Sequence, residues 1–178
     1  MDENLKFTSL ASIIVIILKE IRLERGIHQA HFAEICSKSP SAWTKIETGK
    51  SPLQMDDFFK VCNGIPVPAS TVLATAERYA MLLSQNQWGL INKQLGSEDS
   101  LLKEVQEYYS SSGYRSRNLP IMWGSNISVL NGPFYDQFNG SVSLPYVFQF
   151  VLDPVFKTEQ INYEQPNLFD SNILGSTS

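Results

Sequence analysis

Side chains that suit phosphate oxygens and base edges are concentrated in the segment Ser37 to Ser51, which reads SKSPSAWTKIETGKS. Its apolar residues at helical spacing form one face: Ala42, Trp43 and Ile46. Three polar residues point away from that face: Ser41, Thr44 and Lys45. Short hydroxyl groups can bond phosphate oxygens, and a lysine amine can reach the acceptors of guanine. The segment therefore indicates contact with DNA, provided that the rest of the chain holds it as an exposed helix.

The local signals in this segment predict a short helix. Ser39 is a good N-cap, and Pro40 suits the first helical position, where its missing N–H costs nothing. Gly49 supplies the stop. A helix of two turns is too short to be stable alone, so it has to pack against other elements.

A second short helix precedes this one. Gly26 ends an earlier helix, and Gln29 opens the new one. Its inward positions are all apolar: Ala30, Phe32, Ala33 and Ile35. Only residues 36–39 separate the two short helices, which predicts a helix-turn-helix whose second helix can lie in the major groove of DNA. The turn lacks glycine, so Cys36 or Ser37 is expected to adopt a mildly strained conformation.

The apolar run from Leu10 to Leu18 begins a helix that we expect to extend to Arg25. The run of about nine residues is much shorter than the roughly 20 that a membrane span requires, so no membrane partner is expected. Apolar residues cover so much of the circumference that the helix should be buried on two sides. One side would face its own domain. This helix or the C-terminal half would then bury apolar surface against a second subunit.

Two further helices complete the first part of the chain. One is expected to run from position 53 or 54 to Gly64. Two prolines then exclude helix, and Ser70 caps the fifth. Residues 1–85 are therefore predicted to form an all-α, five-helix helix-turn-helix domain.

The charge distribution allows a few contacts with phosphates. The whole chain carries a net charge of −4, and residues 1–83 contain nine basic and nine acidic residues. The acidic excess therefore belongs entirely to the remainder. Between Lys19 and Lys50, six cations stand against four anions. This excess is enough for a few phosphate contacts and too small for strong non-specific binding to DNA.

Three motifs occur in order along the first part of the chain. They are Lys19-x-x-Arg22-x-x-Arg25-Gly26-Ile27, Gln29-x-x-Phe32-Ala33 and Ser39-x-Ser41-x-Trp43-x-Lys45-Ile46-Glu47-x-Gly49-Lys50. Together they resemble the lambda-repressor/Cro type of DNA-binding domain, also called the xenobiotic-response-element family of regulators. The resemblance extends from Ile14 to about Leu83, about 40% of the chain. It implies a protein that binds double-stranded DNA.

The resemblance implies a DNA-contacting set. Its members are Arg22, Gln29, Ser39, Pro40, Ser41, Thr44, Lys45, Thr48 and Lys50. Gln29 would bond a phosphate or brace the second helix of the pair. Four members would face the groove: Pro40, Ser41, Thr44 and Lys45. Thr48 and Lys50 would hold the DNA backbone just beyond the helix. Three of the set are charged, which predicts a slope of log affinity against log salt of about −5 for a dimer.

One member departs from the family pattern. Pro40 stands where the family usually has a polar residue, so one base or phosphate contact is expected to be lost.

Residues 86–178 differ in composition and are predicted to form a small C-terminal α+β region. A helix is expected from about Asp99 to Tyr109. Aromatic and β-branched runs separated by Gly, Asn and Pro then indicate strands. The expected positions of these strands are Ile121 to Trp123, Ile127 to Leu130 and Tyr146 to Leu152. From Glu159 onward the chain is polar and expected to be partly extended.

No catalytic, metal or cofactor site is expected, and the chain is not predicted to be an enzyme. His28, His31 and Cys36 have a spacing found among metal ligands, but no further cluster completes four ligands. The second half contains no histidine, and its acidic residues lie in no recognisable spacing. Cys36 and Cys62 are expected to be reduced and buried, in a cytoplasmic protein.

Two functions remain open at this point. The first is a transcriptional regulator, most simply a repressor, that acts as a homodimer on a palindromic operator. Its aromatic C-terminal region would serve dimerisation or bind a small-molecule or protein effector. The second is a protein-interaction adaptor or an antitoxin, in which the helical domain and the acidic second half bind a partner protein. The polar residues of the short helix favour DNA, and the neutral charge of the first part keeps the second function open.

Overall fold

The computed structural model describes residues 5–93, 95–117, 127–138 and 140–164. Within these ranges the chain is mostly helical. The first part holds α1 (Leu10–Glu24), α2 (Gln29–Ile35), α3 (Pro40–Glu47), α4 (Met55–Gly64) and α5 (Ala69–Gln85). The second holds α6 (Ser100–Ser110), α7 (Ser112–Arg117), α8 (Tyr146–Leu152) and α9 (Pro154–Ile161). Two small sheets pair β1 (Phe7–Ser9) with β2 (Gly89–Ile91), and β3 (Phe134–Tyr135) with β4 (Val142–Ser143).

The helices of the first part lie close to their predicted positions. Ser39 caps α3, since its Oγ accepts a hydrogen bond from the N–H of Ala42 at 3.2 Å. The fifth helix begins at Ala69, directly after Pro68, so Ser70 lies in its first turn instead of capping it. Proline is tolerated there because the first residues of a helix donate no intrahelical hydrogen bond.

The connection between α2 and α3 is a four-residue turn, as predicted. Ser37 adopts a φ of +54°, in the left-handed region that favours glycine. This confirms the prediction that Cys36 or Ser37 adopts a mildly strained conformation in the turn. The N–H of Lys38 donates to the carbonyl of Ala33 at 2.8 Å and closes the turn. The amine of Lys38 also lies 3.3 Å from the carboxylate of buried Asp57 on α4. The turn is therefore held to α4 by an ion pair.

Most of the apolar surface of α1 is covered from within the same chain, and Leu10 and Leu23 at its two ends stay partly exposed. Every residue from Ile13 to Leu18 is buried. The helix packs against α5, and also against α3, α6 and β1. The expectation that a second subunit covers one side of α1 is therefore corrected, because α6 supplies that cover. A second subunit would have to use another surface.

A parallel pair of strands joins the beginning of the chain to the segment after α5. Phe7 pairs with Gly89 and Ser9 with Ile91, and the sequence reading missed both strands because each has only three residues. The hydroxyl of Thr8 donates to the carboxylate of Asp99 at 3.0 Å, and that carboxylate also caps α6. The core is continuous across residue 85, and the division into domains 1–85 and 86–178 stays a prediction.

The predicted strand at Tyr146–Leu152 is wrong, because this segment is the helix α8. A short apolar run buried on several sides looks the same in sequence whether it is a strand or a helix. Pro145 precedes the first turn, a position that suits proline. The helix expected from Asp99 to Tyr109 is present as α6, and the chain beyond Glu159 is still helical as far as Ile161.

The predicted strand at 127–130 is also wrong, since these residues form a turn. The carboxylate of Glu24 accepts hydrogen bonds from the hydroxyl of Ser128 at 2.8 Å and from the N–H of Val129 at 2.6 Å. The hydroxyl of Tyr79 donates to the carbonyl of Val129 at 3.0 Å. Side chains from α1 and α5 therefore satisfy backbone groups that a neighbouring strand would otherwise pair. The predicted strand at Ile121–Trp123 lies outside the described residues.

A buried carboxyl group lies where α1 meets α6. Glu20 is buried and accepts a hydrogen bond from the hydroxyl of Tyr109. Burial raises the pKa of Glu20 to about 7, and the negative charge of Glu24 adds to this, while the hydrogen bond from Tyr109 and the positive charges of Lys19 and Arg22 oppose it. Lys19 places its amine 3.5 Å from the centre of the Tyr109 ring, and burial lowers the pKa of Lys19.

Replacing Glu20→Gln should change how stability depends on pH. Between the ordinary pKa of 4.5 and the folded value of about 7, the folded protein binds more protons than the unfolded chain. The free energy of unfolding of the parent therefore falls as pH rises through this window, and the variant lacks that fall. We expect Glu20→Gln to be more stable than the parent by about 1–3 kcal/mol at pH 8 and no more stable near pH 4.

Urea unfolding across this pH range measures the effect. Glu77→Gln, at an exposed position on α5, is the matched control and should follow the parent. A Glu20→Gln curve parallel to that of the parent from pH 4 to pH 8 would contradict the assignment.

Candidate functional site

The carboxylate of Glu47, at the end of α3, is buried and accepts hydrogen bonds from three side chains. Arg22 donates from Nε to Oε1 at 2.9 Å and from Nη2 to Oε2 at 3.1 Å. Gln29 donates to Oε2 at 2.7 Å, and the indole N–H of Trp43 donates to Oε1 at 2.8 Å. These donors come from α1, α2 and α3 itself, so a single carboxylate joins the three helices.

Arg22 belongs to this buried centre. The residue is 8% exposed, and its Nη1 donates to the carbonyl of Ile27 at 3.1 Å. A two-pronged contact between guanidinium and carboxylate is a strong, oriented form of ion pair. The family resemblance implies a contact between Arg22 and DNA, whereas the structure pairs the guanidinium of Arg22 with Glu47. A phosphate could reach it only if that pair opened.

Gln29 connects the buried centre to the exposed side of α3. While its amide N–H donates to Glu47, its Oε1 accepts a hydrogen bond from the hydroxyl of Thr44 at 3.1 Å. Thr44 can donate instead to the carbonyl of Pro40 at 2.9 Å. Of the two roles expected for Gln29, the one that this geometry shows is bracing α3.

Trp43 lies in the core, as its spacing with Ile46 predicts. It is 1% exposed, and its ring meets that of Phe32 edge to face with centroids 5.5 Å apart. The contact between the two rings packs α3 against α2. The hydrogen bond to Glu47 satisfies the indole N–H of Trp43. Trp43 is therefore not available for stacking on a base.

The opposite side of α3 is exposed and polar. Its exposed residues are Ser39, Pro40, Ser41, Thr44 and Lys45. The hydroxyls of Ser39 and Ser41 lie 3.2 Å apart at the first turn. Among the residues that the structure describes, neither Lys45 nor the exposed Lys50 forms an ion pair. Five of the nine predicted site residues thus lie on one accessible face.

The C-terminal end of α3 is covered by α6. The hydroxyl of Thr48 bonds back to the carbonyl of Thr44 at 2.8 Å, and the carbonyl of Thr48 accepts a hydrogen bond from Gln106 at 3.0 Å. Gly49 has a φ of +73°, and a Cβ there would lie 2.3 Å from Cδ1 of Leu102. Sequence reasoning missed Gln106 and Leu102, because no motif links α6 to α3. Thr48 is therefore held by the protein at two points.

No protein-family model, curated protein or solved structure matches this chain. The resemblance to Cro-type domains therefore remains a prediction from its motifs.

The cysteines and histidines form no metal-binding group within the described ranges. Cys36 and Cys62 are buried free thiols, as predicted, and burial raises the pKa of each to about 11. No helix in the described part of the chain is long and apolar enough to cross a membrane.

A cavity of about 500 Å³ lies between the start of the chain, the end of α5 and α8. Its walls include Lys6, Asn86, Gln87, Trp88 and Val151. The amine of Lys6 lies 2.7 Å from the carboxylate of Glu104 on α6. A small-molecule effector at the C-terminal region stays a prediction, and this cavity is the candidate site for it.

Replacing Glu47→Gln should destabilise the protein strongly. The change leaves the guanidinium of Arg22 buried beside a neutral group, and removing one partner of a buried ion pair costs about 3–5 kcal/mol. Equilibrium unfolding in urea measures the loss. Glu34→Gln, at an exposed position on α2, is the control and should change the free energy of unfolding by less than about 0.5 kcal/mol.

The double variant Arg22→Met/Glu47→Met separates charge from packing. It leaves neither charge unpaired, so it should lose less stability than the two single replacements added together. Additive losses would show that the ion pair is not what holds these helices.

Proposed function

We propose that this protein binds specific sequences of duplex DNA as a dimer, with the exposed face of α3 in the major groove, and represses transcription from a palindromic operator. One observation carries the proposal. The buried side of α3 is fixed by the hydrogen bonds that its Glu47 carboxylate accepts from neighbouring side chains. The other side of α3 exposes hydroxyl groups and Lys45 to solvent. In this reading α2 and α3 form a helix-turn-helix, which agrees with their lengths and with the four-residue turn between them.

The exposed residues divide into two kinds of contact. Lys45 is suited to the N7 and O6 acceptors of guanine, and Ser41 can donate to or accept from a base edge or a phosphate. The hydroxyl of Thr44 already donates within the chain, so its methyl group is the part better suited to DNA, against a thymine methyl. Ser39 and Lys50 lie at the two ends of α3 and would contact the phosphate backbone.

Arg22 and Gln29 act as positioning residues in this proposal. Their hydrogen bonds to α3 go to Glu47 and Thr44, so in this proposal they set the orientation of the helix and do not contact DNA themselves. A rigid recognition helix avoids the cost of ordering on binding. This assignment reduces the charged contacts per subunit from three to two.

The alternative function also has an observation in its favour. The hairpin formed by β3 and β4 exposes several large apolar side chains, as a surface for a partner protein would. An adaptor or an antitoxin could use this hairpin together with the acidic second half of the chain.

Selection of bound sequences from a random duplex library distinguishes the two functions. We expect enrichment of a palindrome whose half-sites lie about one helical turn, roughly 34 Å, apart. Absence of enrichment at low salt would overturn the DNA-binding proposal and favour the adaptor.

Replacing Ser41→Ala or Lys45→Ala should weaken binding to the selected duplex by about 1–3 kcal/mol each with little change in stability, because both side chains are exposed. Fluorescence anisotropy with the labelled duplex measures the affinity. Lys60→Ala, which removes an exposed cation on α4, is the control and should bind like the parent. If both variants of α3 bound like the parent, its exposed face would not be the contact surface.

The salt dependence of binding should be shallower than the sequence alone predicts. With Arg22 paired to Glu47, Lys45 and Lys50 remain as charged contacts in each subunit. At about 0.9 per neutralised phosphate, a dimer should give a slope of log affinity against log salt of about −4 instead of −5. Titrations from low to moderate salt measure the slope, and a value of −5 or steeper would mean that Arg22 or a further cation reaches DNA.

A further inference from the structure

Glu20 lies buried between α1 and α6 without a cation that pairs with it. The residue is 8% exposed, and within the described ranges it belongs to no ion pair. Tyr109 on α6 donates its hydroxyl proton to the carboxyl group. A buried carboxyl group without a cationic partner favours its neutral form, because the charged form loses its hydration. The geometry therefore makes Glu20 a group that takes up a proton in the folded protein.

The charged and titratable groups around Glu20, Lys19 and Tyr109 come from several helices. They are Lys19, Arg22 and Glu24 on α1, Glu47 on α3, Tyr79 on α5, Tyr108 and Tyr109 on α6, and Tyr114 on α7. The two cations have other contacts, since Arg22 bonds to Glu47 and the amine of Lys19 lies over the ring of Tyr109. Burial raises the pKa of Glu20 by more than these two cations lower it.

One side of α6 joins this buried carboxyl group to the end of α3. Leu102, Gln106 and Tyr109 are four and three residues apart, so they lie on one side of the helix. Tyr109 bonds to the buried carboxyl group. Gln106 donates to the carbonyl of Thr48 at 3.0 Å, and Leu102 fills the space beside Gly49. A displacement of α6 at Tyr109 is therefore transmitted to the end of α3.

We propose that Glu20 links the affinity for DNA to pH. Protonated Glu20 lets α6 pack closely against α1 and the end of α3, and ionisation of Glu20 loosens α6 and weakens binding. The inference rests on the proposed function, in which α3 is the element that contacts DNA.

The sign of the effect follows from what an ionised Glu20 requires. Either water enters between α1 and α6, or the amine of Lys19 leaves the ring of Tyr109 and pairs with the carboxylate. Both changes alter the packing of Tyr109 against α1. Because the backbone of α6 is hydrogen-bonded throughout, the helix moves as a unit, and the contacts of Gln106 and Leu102 with α3 weaken. DNA should therefore bind more tightly below the pKa of Glu20 than above it.

The backbone amide signals of residues 48–50 test the coupling without DNA. By nuclear magnetic resonance, we expect these signals to shift between pH 6 and pH 8, with the same midpoint near pH 7 as the side-chain carboxyl signal of Glu20. Glu20→Gln should abolish the shift, because its side chain does not ionise. Signals that stay fixed in the parent, or that shift equally in Glu20→Gln, would overturn the proposal.

Tyr109→Phe tests whether Glu20 itself is the group that titrates. The variant keeps the aromatic ring and removes the hydrogen bond to Glu20. Since this hydrogen bond lowers the pKa of Glu20, its loss should move the midpoint of the response at residues 48–50 to higher pH. An unchanged midpoint would overturn the assignment to Glu20.

The affinity for the selected duplex should be about three- to tenfold weaker at pH 8 than at pH 6, since release of one proton changes an affinity by at most about tenfold per pH unit. Fluorescence anisotropy at constant salt measures it, and Glu20→Gln should bind equally at both values. The exposed residues His28 and His31 also lose charge in this range. His28→Gln/His31→Gln is therefore the control and should keep the loss of affinity. A loss that disappears in this control and persists in Glu20→Gln would overturn the proposal.

Two outcomes separate this proposal from the DNA-binding function. A protein that enriches a DNA sequence and binds it equally at pH 6 and pH 8 would overturn the link to pH and leave DNA binding intact. A protein whose residues 48–50 follow the titration of Glu20, but that enriches no sequence, would support the coupling of Glu20 to α3 and overturn DNA binding.

Discussion

A buried carboxylate has to be paired, and the pairing of Glu47 sets the geometry of the first part of the protein. Its two oxygens accept hydrogen bonds from Arg22, Gln29 and Trp43, so α1, α2 and α3 meet at one point. Unpairing a buried charge is costly, so any rotation of α3 that broke these bonds would be strongly opposed. Since one side of a two-turn helix is fixed in this way, its other side is fixed too. The exposed polar face of α3 is thus a consequence of a buried interaction.

The second half of the chain takes part in this geometry. Gln106 bonds to the end of α3, Leu102 fills the space beside Gly49, and Tyr109 bonds to Glu20 on α1. Any shift of α6 would therefore reach both helices. If an effector binds to the second half, as the sequence analysis predicts, these contacts are the route by which it would change the position of α3.

The sequence predicts a feature correctly where neighbouring residues determine it. It fails where contacts between residues that are distant in the sequence determine the structure. The cap at Ser39 and the strained turn at Ser37 follow from neighbouring residues, and both were predicted. The buried position of Arg22 depends on Glu47, which lies 25 residues away, and a basic residue looks the same in sequence whether it meets a phosphate or a carboxylate. The segment Tyr146–Leu152 was predicted as a strand because its apolar run is too short to show a period. The strand pair β1 and β2 could not be predicted, since each strand has three residues and its partner is distant.

The proposed function requires that the face of α3 opposite Glu47 is the surface that meets DNA. The most direct measurement is to map backbone amide signals by nuclear magnetic resonance while the selected duplex is added. We expect the largest changes to fall on residues 39–50, with smaller ones in α6 where it contacts the end of α3. Largest changes on α4, α5 or the hairpin of β3 and β4, with residues 39–50 unaffected at saturation, would contradict this assignment.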